Sequence, residues 1–240
     1  MKLLLTSNGI TNPSLYQALV ALLGKPIEES TALFIPTAIY PFAGGGIYAM
    51  QAINGRPNAP LTQLGWKSLG ILELSVLSSI RQDIWVKALK ETDVLLVWGG
   101  DPLFLAYWFK MSGVADLMPS LADKMVYVGV SAGSIAASSI FGETYSEPSA
   151  GVNYATTSKT LVFGTAQRIF CTAEGLGLAE FAIIPHYENP EHQDASKSNA
   201  AIWAAQLSLP VYAIDDETGI KVSNGEIEVV SEGQWKLFNA

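Results

Sequence analysis

Short apolar runs bounded by turn residues recur along this sequence, and they constrain its fold more than any other feature. Strands that are exposed on one face alternate apolar and polar residues, whereas strands buried on both faces are continuously apolar. Uninterrupted runs therefore indicate strands in a sheet that is covered on both sides. Seven such runs are Lys2 to Thr6, Ala32 to Pro36, Ile71 to Leu74, Val94 to Trp98, Met125 to Val130, Phe181 to Pro185 and Val211 to Ile214.

Segments with the apolar spacing of helices lie between these runs. They are Pro13 to Leu23, Ile84 to Lys90, Pro102 to Lys110 and Ser196 to Leu207. Strands that alternate with helices predict an α/β fold with a mostly parallel, doubly wound sheet and helices on both of its faces. The 240 residues, 49% of them apolar, can form a large core and contain no repeat or linker, so we expect a single domain over residues 1–240.

The end of the sequence predicts a C-terminal β-hairpin. The apolar runs Ile220 to Val222 and Ile227 to Val230 flank Asn224-Gly225, and an Asn-Gly pair between apolar runs is a strong hairpin signal. The least regular segments, Pro41 to Pro60 and Gly142 to Thr160, predict long loops of the kind that carry binding sites.

Composition excludes several classes of protein. Fourteen Lys and Arg residues against 22 Asp and Glu give a net charge of −8, which repels nucleic acid and anionic membrane surfaces. The single cysteine, Cys171, cannot form an internal disulfide, which fits a reducing cytoplasm. The apolar start is interrupted at Thr6 before it reaches the length of a signal-peptide core, and no stretch approaches the ~18 apolar residues of a membrane span. We therefore expect a soluble, cytoplasmic protein.

The sequence Gly129-Val-Ser-Ala-Gly133 is the sharpest chemical motif. It follows an apolar run and precedes a predicted small-residue helix, Ser134 to Ile140, which is the context of a nucleophile elbow. Small residues on either side allow the tight turn that lifts Ser131 above the sheet. The backbone amide of Ala132 would then face a developing oxyanion. A glycine-rich turn with a capping serine is the alternative explanation of the same residues.

A serine nucleophile needs a base, and the sequence contains two histidines. His186 directly follows an apolar run, at the carboxyl end of a predicted strand, where ligands collect in open α/β sheets. His192 lies in a polar loop and is expected to be a solvated surface residue. His186 is therefore the predicted base.

The acid that would orient the histidine is less well determined by the sequence. Glu147 lies in the irregular segment after the nucleophile, and Glu188 is two residues beyond His186. Asp216 and Glu217 follow the last long predicted strand at the same edge of the sheet. Each of the four carboxylates could instead be an ordinary surface acid.

A second glycine turn lies at the predicted edge of the sheet. Gly99 and Gly100 end an apolar run, and Asp101 with Pro102 resembles the start of a helix. The amide of Gly100, paired with that of Ala132, would complete an oxyanion hole. An ordinary strand-to-helix connection would have the same sequence.

No cofactor or metal is expected. The sequence contains neither of the glycine motifs that bind nucleotides, GxGxxG or GxxxxGK[ST]. The acids and histidines of the polar loop lack the HExxH spacing of a zinc site. That loop carries His186, Glu188, Glu191, His192 and Asp194.

Taken together, these motifs resemble the peptidase E family of aspartyl dipeptidases, which share a fold with class I glutamine amidotransferases and are related to cyanophycinases. The resemblance runs in order through MKLLLTSNG, ALFIP, LLVWGGDPLFL, YVGVSAGS, IIPHY and AIDDETGIKVSNG. It covers most of the chain except residues 40–90 and 148–175. A GVSAG motif followed at this distance by PHY is more specific than GxSxG alone.

The resemblance implies a flavodoxin-like, class I glutamine amidotransferase-like fold and a serine peptidase in which Ser131 attacks the peptide carbonyl and His186 is the base. By position the family's acid falls near Glu147. In the amidotransferases the acid lies two residues after the histidine, here at Glu188, and Glu217 is the further alternative. The implied substrates are dipeptides, Asp-X among them, or other small amides.

Two departures concern substrate binding. Asp101 stands where the family usually has asparagine, and an acid there disfavours an anionic substrate. After the histidine the family tends to carry arginines, whereas this sequence offers Lys197, which lacks the bidentate fork of arginine. Asp101 and Lys197 are therefore the predicted substrate-binding residues, and both departures argue against a preference for N-terminal aspartate.

Two other functions fit parts of the sequence. An α/β-hydrolase esterase would also contain GxSxG, but that fold places its acid and histidine later in the chain than His186. A noncatalytic ligand-binding member of the same fold is the other alternative, because fold does not fix function. The aromatic residues between Pro102 and Lys110 favour core packing or a homodimer interface.

Overall fold

The computed structural model of the chain describes residues 1–56, 59–147 and 153–240. Within these ranges the strands are β1 (Lys2–Thr6), β2 (Thr31–Ile35), β3 (Ser68–Ile71), β4 (Val94–Val97), β5 (Val126–Val130), β6 (Ile140–Tyr145), β7 (Thr157–Phe163), β8 (Ala166–Glu174), β9 (Ala182–Ile184), β10 (Val211–Ile214), β11 (Thr218–Ser223), β12 (Glu226–Ser231) and β13 (Trp235–Phe238). The helices are α1 (Pro13–Leu23), α2 (Gly45–Ile53), α3 (Gln82–Lys90), α4 (Pro102–Met111), α5 (Val114–Leu121), α6 (Ala132–Ile135) and α7 (Lys197–Ala204).

A seven-stranded sheet in the order β12-β11-β1-β5-β4-β2-β3 forms the centre of the structure. Strands β3, β2, β4, β5 and β1 pair in parallel. β11 and β12 add an antiparallel edge. The predicted mostly parallel α/β sheet is therefore confirmed.

Helices cover both faces of this sheet because neighbouring strand residues point to opposite sides. Leu4 packs with Leu19 of α1 on one face. Leu3 and Leu5 belong to a second buried cluster on the other face, together with Phe109 of α4 and residues of α3 and α5. The inner strands β1, β2, β4 and β5 are buried on both faces and are almost continuously apolar, as the sequence predicted, whereas the edge strand β3 is mainly exposed.

Two smaller sheets lie beside the central one. β9 and β10 pair in parallel, with β13 antiparallel to β10. β6, β8 and β7 form an antiparallel sheet in that order. The apolar runs Phe181 to Pro185 and Val211 to Ile214 are thus strands, as predicted, but they belong to a separate sheet.

Most of the predicted local structure is observed. Helix α1 has the predicted bounds, and α3, α4 and α7 overlap their predicted segments. The hairpin is confirmed: Ser223 pairs with Glu226, and Asn224 and Gly225 have φ of 54° and 81°. These left-handed values are those of a two-residue hairpin turn that matches the strand twist.

Four predictions of local structure were wrong. Ile71 to Leu74 was expected to be a strand, but β3 ends at Ile71 and a 3₁₀ helix begins at Leu74. The helix expected over Ser134 to Ile140 is the short α6, and β6 begins at Ile140. The expected loop Pro41 to Pro60 contains α2, and Gly142 to Thr160 contains parts of β6 and β7. Residues 57–58 and 148–152 of these two segments lie outside the described residues.

No helix in the described ranges is both long enough and apolar enough to cross a bilayer.

Candidate active site

Ser131 lies between the end of β5 and the start of α6, in a backbone conformation that few residues adopt. Its φ is 49° and its ψ is −111°, outside the regions usual for residues with a Cβ. The Ser131 amide donates to the Thr6 carbonyl at 3.0 Å, and the Ser131 carbonyl accepts from the Ser134 amide at 2.8 Å. These hydrogen bonds hold the strained turn in place on both sides.

The two glycines of the motif make the turn sterically possible. A Cβ on Gly129 would lie 2.7 Å from the Gly133 carbonyl carbon, and a Cβ on Gly133 would lie 2.2 Å from the Val97 oxygen. Neither distance is compatible with a side chain. The buried hydroxyl of Tyr127 also donates to the Gly133 carbonyl at 2.6 Å. The close approach of α6 to β4 and β5 therefore requires these glycines.

A hydrogen-bonded series joins Ser131 to a histidine and an acid. The Oγ of Ser131 lies 3.1 Å from Nε2 of His186. Nδ1 of His186 lies 2.7 Å from Oδ1 of Asp216, and Oδ2 of Asp216 accepts from Nδ2 of Asn189 at 2.8 Å. Burial alone would raise the pKa of the Asp216 carboxyl, but its hydrogen bonds from His186 and Asn189 hold that pKa below its usual range.

The structure brings together two of the predicted catalytic residues, Ser131 and His186, and the acid beside them is Asp216, one of the four candidate carboxylates, instead of Glu147. Glu147 is exposed on a cavity wall. Glu188 accepts from the Lys197 amide, and Glu217 accepts from Asn12 Nδ2 at 3.1 Å. The carboxylate at Nδ1 of His186 is that of Asp216, one residue before the predicted alternative Glu217.

Ser7 links the central sheet to the two segments that carry the histidine and the acid. It is fully buried just after β1. Its Oγ donates to the Ile214 carbonyl at 2.7 Å and accepts from the His186 amide at 3.0 Å. One hydroxyl thus ties the start of the His186 loop to the end of β10, two residues before Asp216.

Ser131 and His186 open onto a cavity of about 570 Å³. Gly100 lies on its wall with φ of 142°, and a Cβ there would lie 2.2 Å from the Ala38 oxygen. The amide of Ala132, at the first position of α6, has no partner within the helix. Of the two predicted oxyanion-hole residues, Gly100 therefore lines the same cavity as Ser131 and Ala132 directly follows Ser131 in the sequence.

Asp101 also lines the cavity, but its buried carboxylate caps helix α4. Its Oδ1 accepts from the amides of Leu103 and Phe104 at 2.9 and 3.0 Å, and from the Tyr145 hydroxyl at 2.9 Å. These bonds and the helix N-terminus stabilise its negative charge. Lys197, the other predicted substrate residue, lines a different surface cavity beside Trp235.

The antiparallel sheet contributes charged groups to the cavity that the sequence did not indicate. Arg168 on β8 pairs with Asp194 at 2.7 Å. Glu143 on β6 is near Asp194 and Asp101, and its burial, reinforced by their negative charges, raises its pKa to about 8. Glu143 is therefore largely protonated at neutral pH. Exposed Glu147 and Glu191 complete the acidic part of the lining.

His192 was expected to be a solvated surface residue, and its side chain is indeed exposed. One face of its ring, however, stacks on His186, with the ring centroids 4.1 Å apart and the planes 16° apart. This partial burial of the ring and the neighbouring His186 both lower the pKa of His192. Among the residues that the structure describes, no cluster of three His, Cys, Asp or Glu side chains has the arrangement of a metal site.

Comparison with known proteins gives both a family and a fold. The family model of peptidase family S51 matches residues 3–230. The crystal structure of a candidate peptidase E protein from Listeria monocytogenes EGD-e has a TM-score of 0.61 at 19% identity, covering 97% of this chain and 98% of that one. A peptidase from an acI-B1 actinobacterium has a TM-score of 0.61 at 18% identity, covering 100% and 94%. At these identities the structural likeness shows a shared fold. No curated protein matches the chain.

Proposed function

The chain belongs to peptidase family S51, and from that premise we propose that it is a serine peptidase acting through Ser131, His186 and Asp216. The observation that carries the proposal is the continuous series of hydrogen bonds from Ser131 Oγ through the His186 ring to Asp216 Oδ1, with distances of 3.1 and 2.7 Å. Nucleophile, base and orienting acid in this order form the arrangement that activates serine in unrelated folds.

The geometry supports the following reaction. Asp216 accepts a hydrogen bond from the N–H at Nδ1 of His186. The other nitrogen, Nε2, is therefore free to accept the Ser131 hydroxyl proton. Ser131 Oγ then attacks the peptide carbonyl, and His186 returns the proton to the leaving amine. Water hydrolyses the acyl-enzyme by the same route and regenerates the serine.

The developing oxyanion would be stabilised by backbone amides. Those of Gly100 and Ala132 are the candidates, because Gly100 lines the cavity beside Ser131 and Ala132 directly follows it. Removing one such donor from an enzyme typically lowers kcat by about 10²–10³. Both donors are backbone amides. The glycine at position 100 therefore contributes to the proposed oxyanion hole only through the backbone conformation that it allows.

We propose that the substrates are dipeptides or other small amides. A cavity of about 570 Å³ is of the size that small-molecule ligands occupy. Its charged lining is mainly acidic, and the one Arg or Lys side chain among the described lining residues, Arg168, already pairs with Asp194. An additional carboxylate on the substrate would therefore be repelled, and we expect neutral and basic dipeptides to be hydrolysed faster than Asp-X dipeptides.

A dipeptide panel tests the proposal. Asp-X, Glu-X, neutral and Lys-X dipeptides would be incubated with the wild type and with Ser131→Ala, and free amino acids would be measured. We expect release by the wild type and a loss of at least about 100-fold in Ser131→Ala. Ser198→Ala, which changes an exposed serine on α7, is the matched control. Equal release by wild type and Ser131→Ala would contradict the assignment of the nucleophile.

The same panel separates the alternative functions. Serine-dependent hydrolysis of esters without hydrolysis of any amide would indicate an esterase. Saturable binding of a dipeptide with neither activity would indicate a noncatalytic ligand-binding protein. Faster hydrolysis of Asp-X than of neutral dipeptides would leave the catalytic mechanism intact and contradict the expected charge preference.

A further inference from the structure

The loop that follows His186 folds back over the catalytic imidazole. His186 and Glu188 have left-handed φ values of 58° and 61°, so the chain turns sharply after the strand. The His192 amide then donates to the Asn189 carbonyl at 2.9 Å, and the Ala195 amide donates to the His192 carbonyl at 2.8 Å. These bonds fix the backbone on both sides of His192.

The loop contacts both the base and the acid of the proposed triad. Asn189 donates to the carboxylate of Asp216 at 2.8 Å. Three residues later, the His192 ring stacks face to face on the His186 ring, with centroids 4.1 Å apart. His186 therefore has Asp216 at Nδ1, Ser131 at Nε2 and His192 across one ring face.

We propose that His192 is a positioning residue for the reaction proposed above. Its ring holds the His186 imidazole in the orientation in which one ring nitrogen faces Ser131 and the other faces Asp216. Both hydrogen bonds of His186 are made by its two ring nitrogens, so a tilt of the ring about the line through these nitrogens changes neither distance and is poorly resisted by the two bonds. A flat ring stacked on one face opposes that rotation. Small displacements of a catalytic group lower rates sharply, so this contact acts on kcat.

The charge of His192 matters to the same contact. Its ring faces His186 and lies in the field of three carboxylates, Asp216, Glu191 and Asp194, while its burial and His186 lower its pKa. It is therefore neutral at neutral pH, and a neutral aromatic face tolerates the imidazolium that forms on His186 in each catalytic cycle. Protonated His192 would instead repel that imidazolium.

Three substitutions separate these effects. His192→Ala removes the ring, His192→Gln retains a polar side chain without a ring, and His192→Phe retains a flat ring that does not titrate. At pH 7.5 we expect kcat to fall about tenfold in the Ala and Gln variants with little change in KM. In the Phe variant we expect kcat within about threefold of wild type.

The pH profile provides a second readout. As the pH is lowered from neutral, the wild type gains a charge on His192 that His192→Phe cannot gain, so kcat of the wild type should fall below that of the Phe variant. Full activity in His192→Ala would overturn the proposal. Equal losses in the Phe and Ala variants would also overturn it, because they would assign His192 a role in hydrogen bonding or proton transfer instead of stacking.

A measurement that needs no turnover keeps this inference distinct from the proposed peptidase activity. The chain has two histidines, so NMR of the Ser131→Ala protein contains two imidazole spin systems, and His192→Phe assigns them. We expect a nuclear Overhauser effect between the two rings and a lower pKa for His192 than for an unperturbed histidine. Absence of the ring contact would overturn the proposal, whether or not the wild type hydrolyses any dipeptide.

Discussion

At the scale of single residues, the most informative feature is which of the candidate carboxylates contacts His186. Asp216 is the carboxylate that contacts His186, and its depressed pKa keeps it ionised at neutral pH. In Asp216→Asn the amide would favour the wrong histidine tautomer, so we expect kcat to fall by about 10⁴. The measurement is the steady-state hydrolysis of the best dipeptide of the panel.

The other predicted acids supply the matched controls for this experiment. Glu217→Gln and Glu188→Gln should keep kcat within about threefold of wild type, because neither side chain contacts His186. Glu147→Gln, on the cavity wall, should change KM more than kcat. A loss in Glu217→Gln comparable to that in Asp216→Asn would contradict the arrangement described for the triad.

The residues of the candidate site could be predicted from sequence only where the local motif determined them. Ser131 and His186 each directly follow a continuous apolar run, so the strand places them at the edge of the sheet. Glu147 and Asp216 each lie at least 30 residues from His186 in sequence, and only the packing of separate sheets decides which one reaches it. The stacking of His192 likewise depends on left-handed backbone turns that the sequence does not indicate.

Glu143 should make the stability of the protein depend on pH. Its pKa is about 8 in the folded protein, against an ordinary value of 4.5, so between these values the folded state binds more protons than the unfolded state. The stabilisation is complete below about pH 4.5 and is lost as the pH rises through about 8. The free energy of unfolding should fall by at most about 1.4 kcal/mol per pH unit across this window.

Replacing Glu143 by glutamine tests this dependence, because the amide does not titrate. Urea unfolding of wild type and Glu143→Gln at pH 5, 6, 7 and 8 should give a smaller slope with pH for the variant. Glu147→Gln, which changes an exposed acid, should have the wild-type slope. Parallel slopes for wild type and Glu143→Gln would contradict the raised pKa.

At the scale of secondary-structure elements, the contact between α6 and β4 determines where the proposed nucleophile, Ser131, lies. A Cβ at Gly133 would lie 2.2 Å from the Val97 oxygen. The backbone there cannot move away from this contact without also displacing the turn at Ser131. We expect Gly133→Ala to lower the free energy of unfolding by about 2–3 kcal/mol and to abolish hydrolysis, as measured by urea unfolding and the dipeptide assay.

Gly46 on α2 is a suitable control for the loss of a glycine, because a Cβ there would meet no atom within 4 Å. Alanine in a helix is favoured over glycine, so Gly46→Ala should stabilise the protein by up to about 1 kcal/mol. Hydrolysis should be unchanged. Retained activity in Gly133→Ala would show that the turn tolerates displacement.

The elements that the sequence predicted well are those whose signals are local. The Asn224-Gly225 turn and the apolar spacing of α1 need no tertiary information. The antiparallel sheet of β6, β7 and β8 was missed because β7 is mainly exposed and has no continuous apolar run. Strands β6 and β8 depend on contacts with residues of neighbouring strands, and a single sequence does not show which residues pair.

At the scale of the whole molecule, the proposed active site is assembled from elements of separate sheets. Ser131 follows a strand of the central sheet, His186 and Asp216 follow the parallel strands β9 and β10, and Glu143 and Arg168 come from the antiparallel sheet. The proposed catalysis therefore depends on how the sheets are joined, and Ser7 lies at the joint between the central sheet and the sheet of β9 and β10. Its hydroxyl contacts the backbone of both His186 and Ile214.

Ser7→Ala should uncouple this joint without removing any proposed catalytic group. The change leaves the His186 amide without its partner, which costs about 1–3 kcal/mol of stability, and it frees His186 to move relative to Ser131. The Ile214 carbonyl keeps the hydrogen bond that the Tyr187 amide donates at 3.0 Å. We expect kcat to fall by tenfold or more. Ser30→Ala is the matched control, because Ser30 is equally buried and its hydroxyl bonds only locally, to the Pro26 carbonyl. It should lose stability while keeping kcat, and equal kcat in the two variants would mean that the joint does not position the histidine.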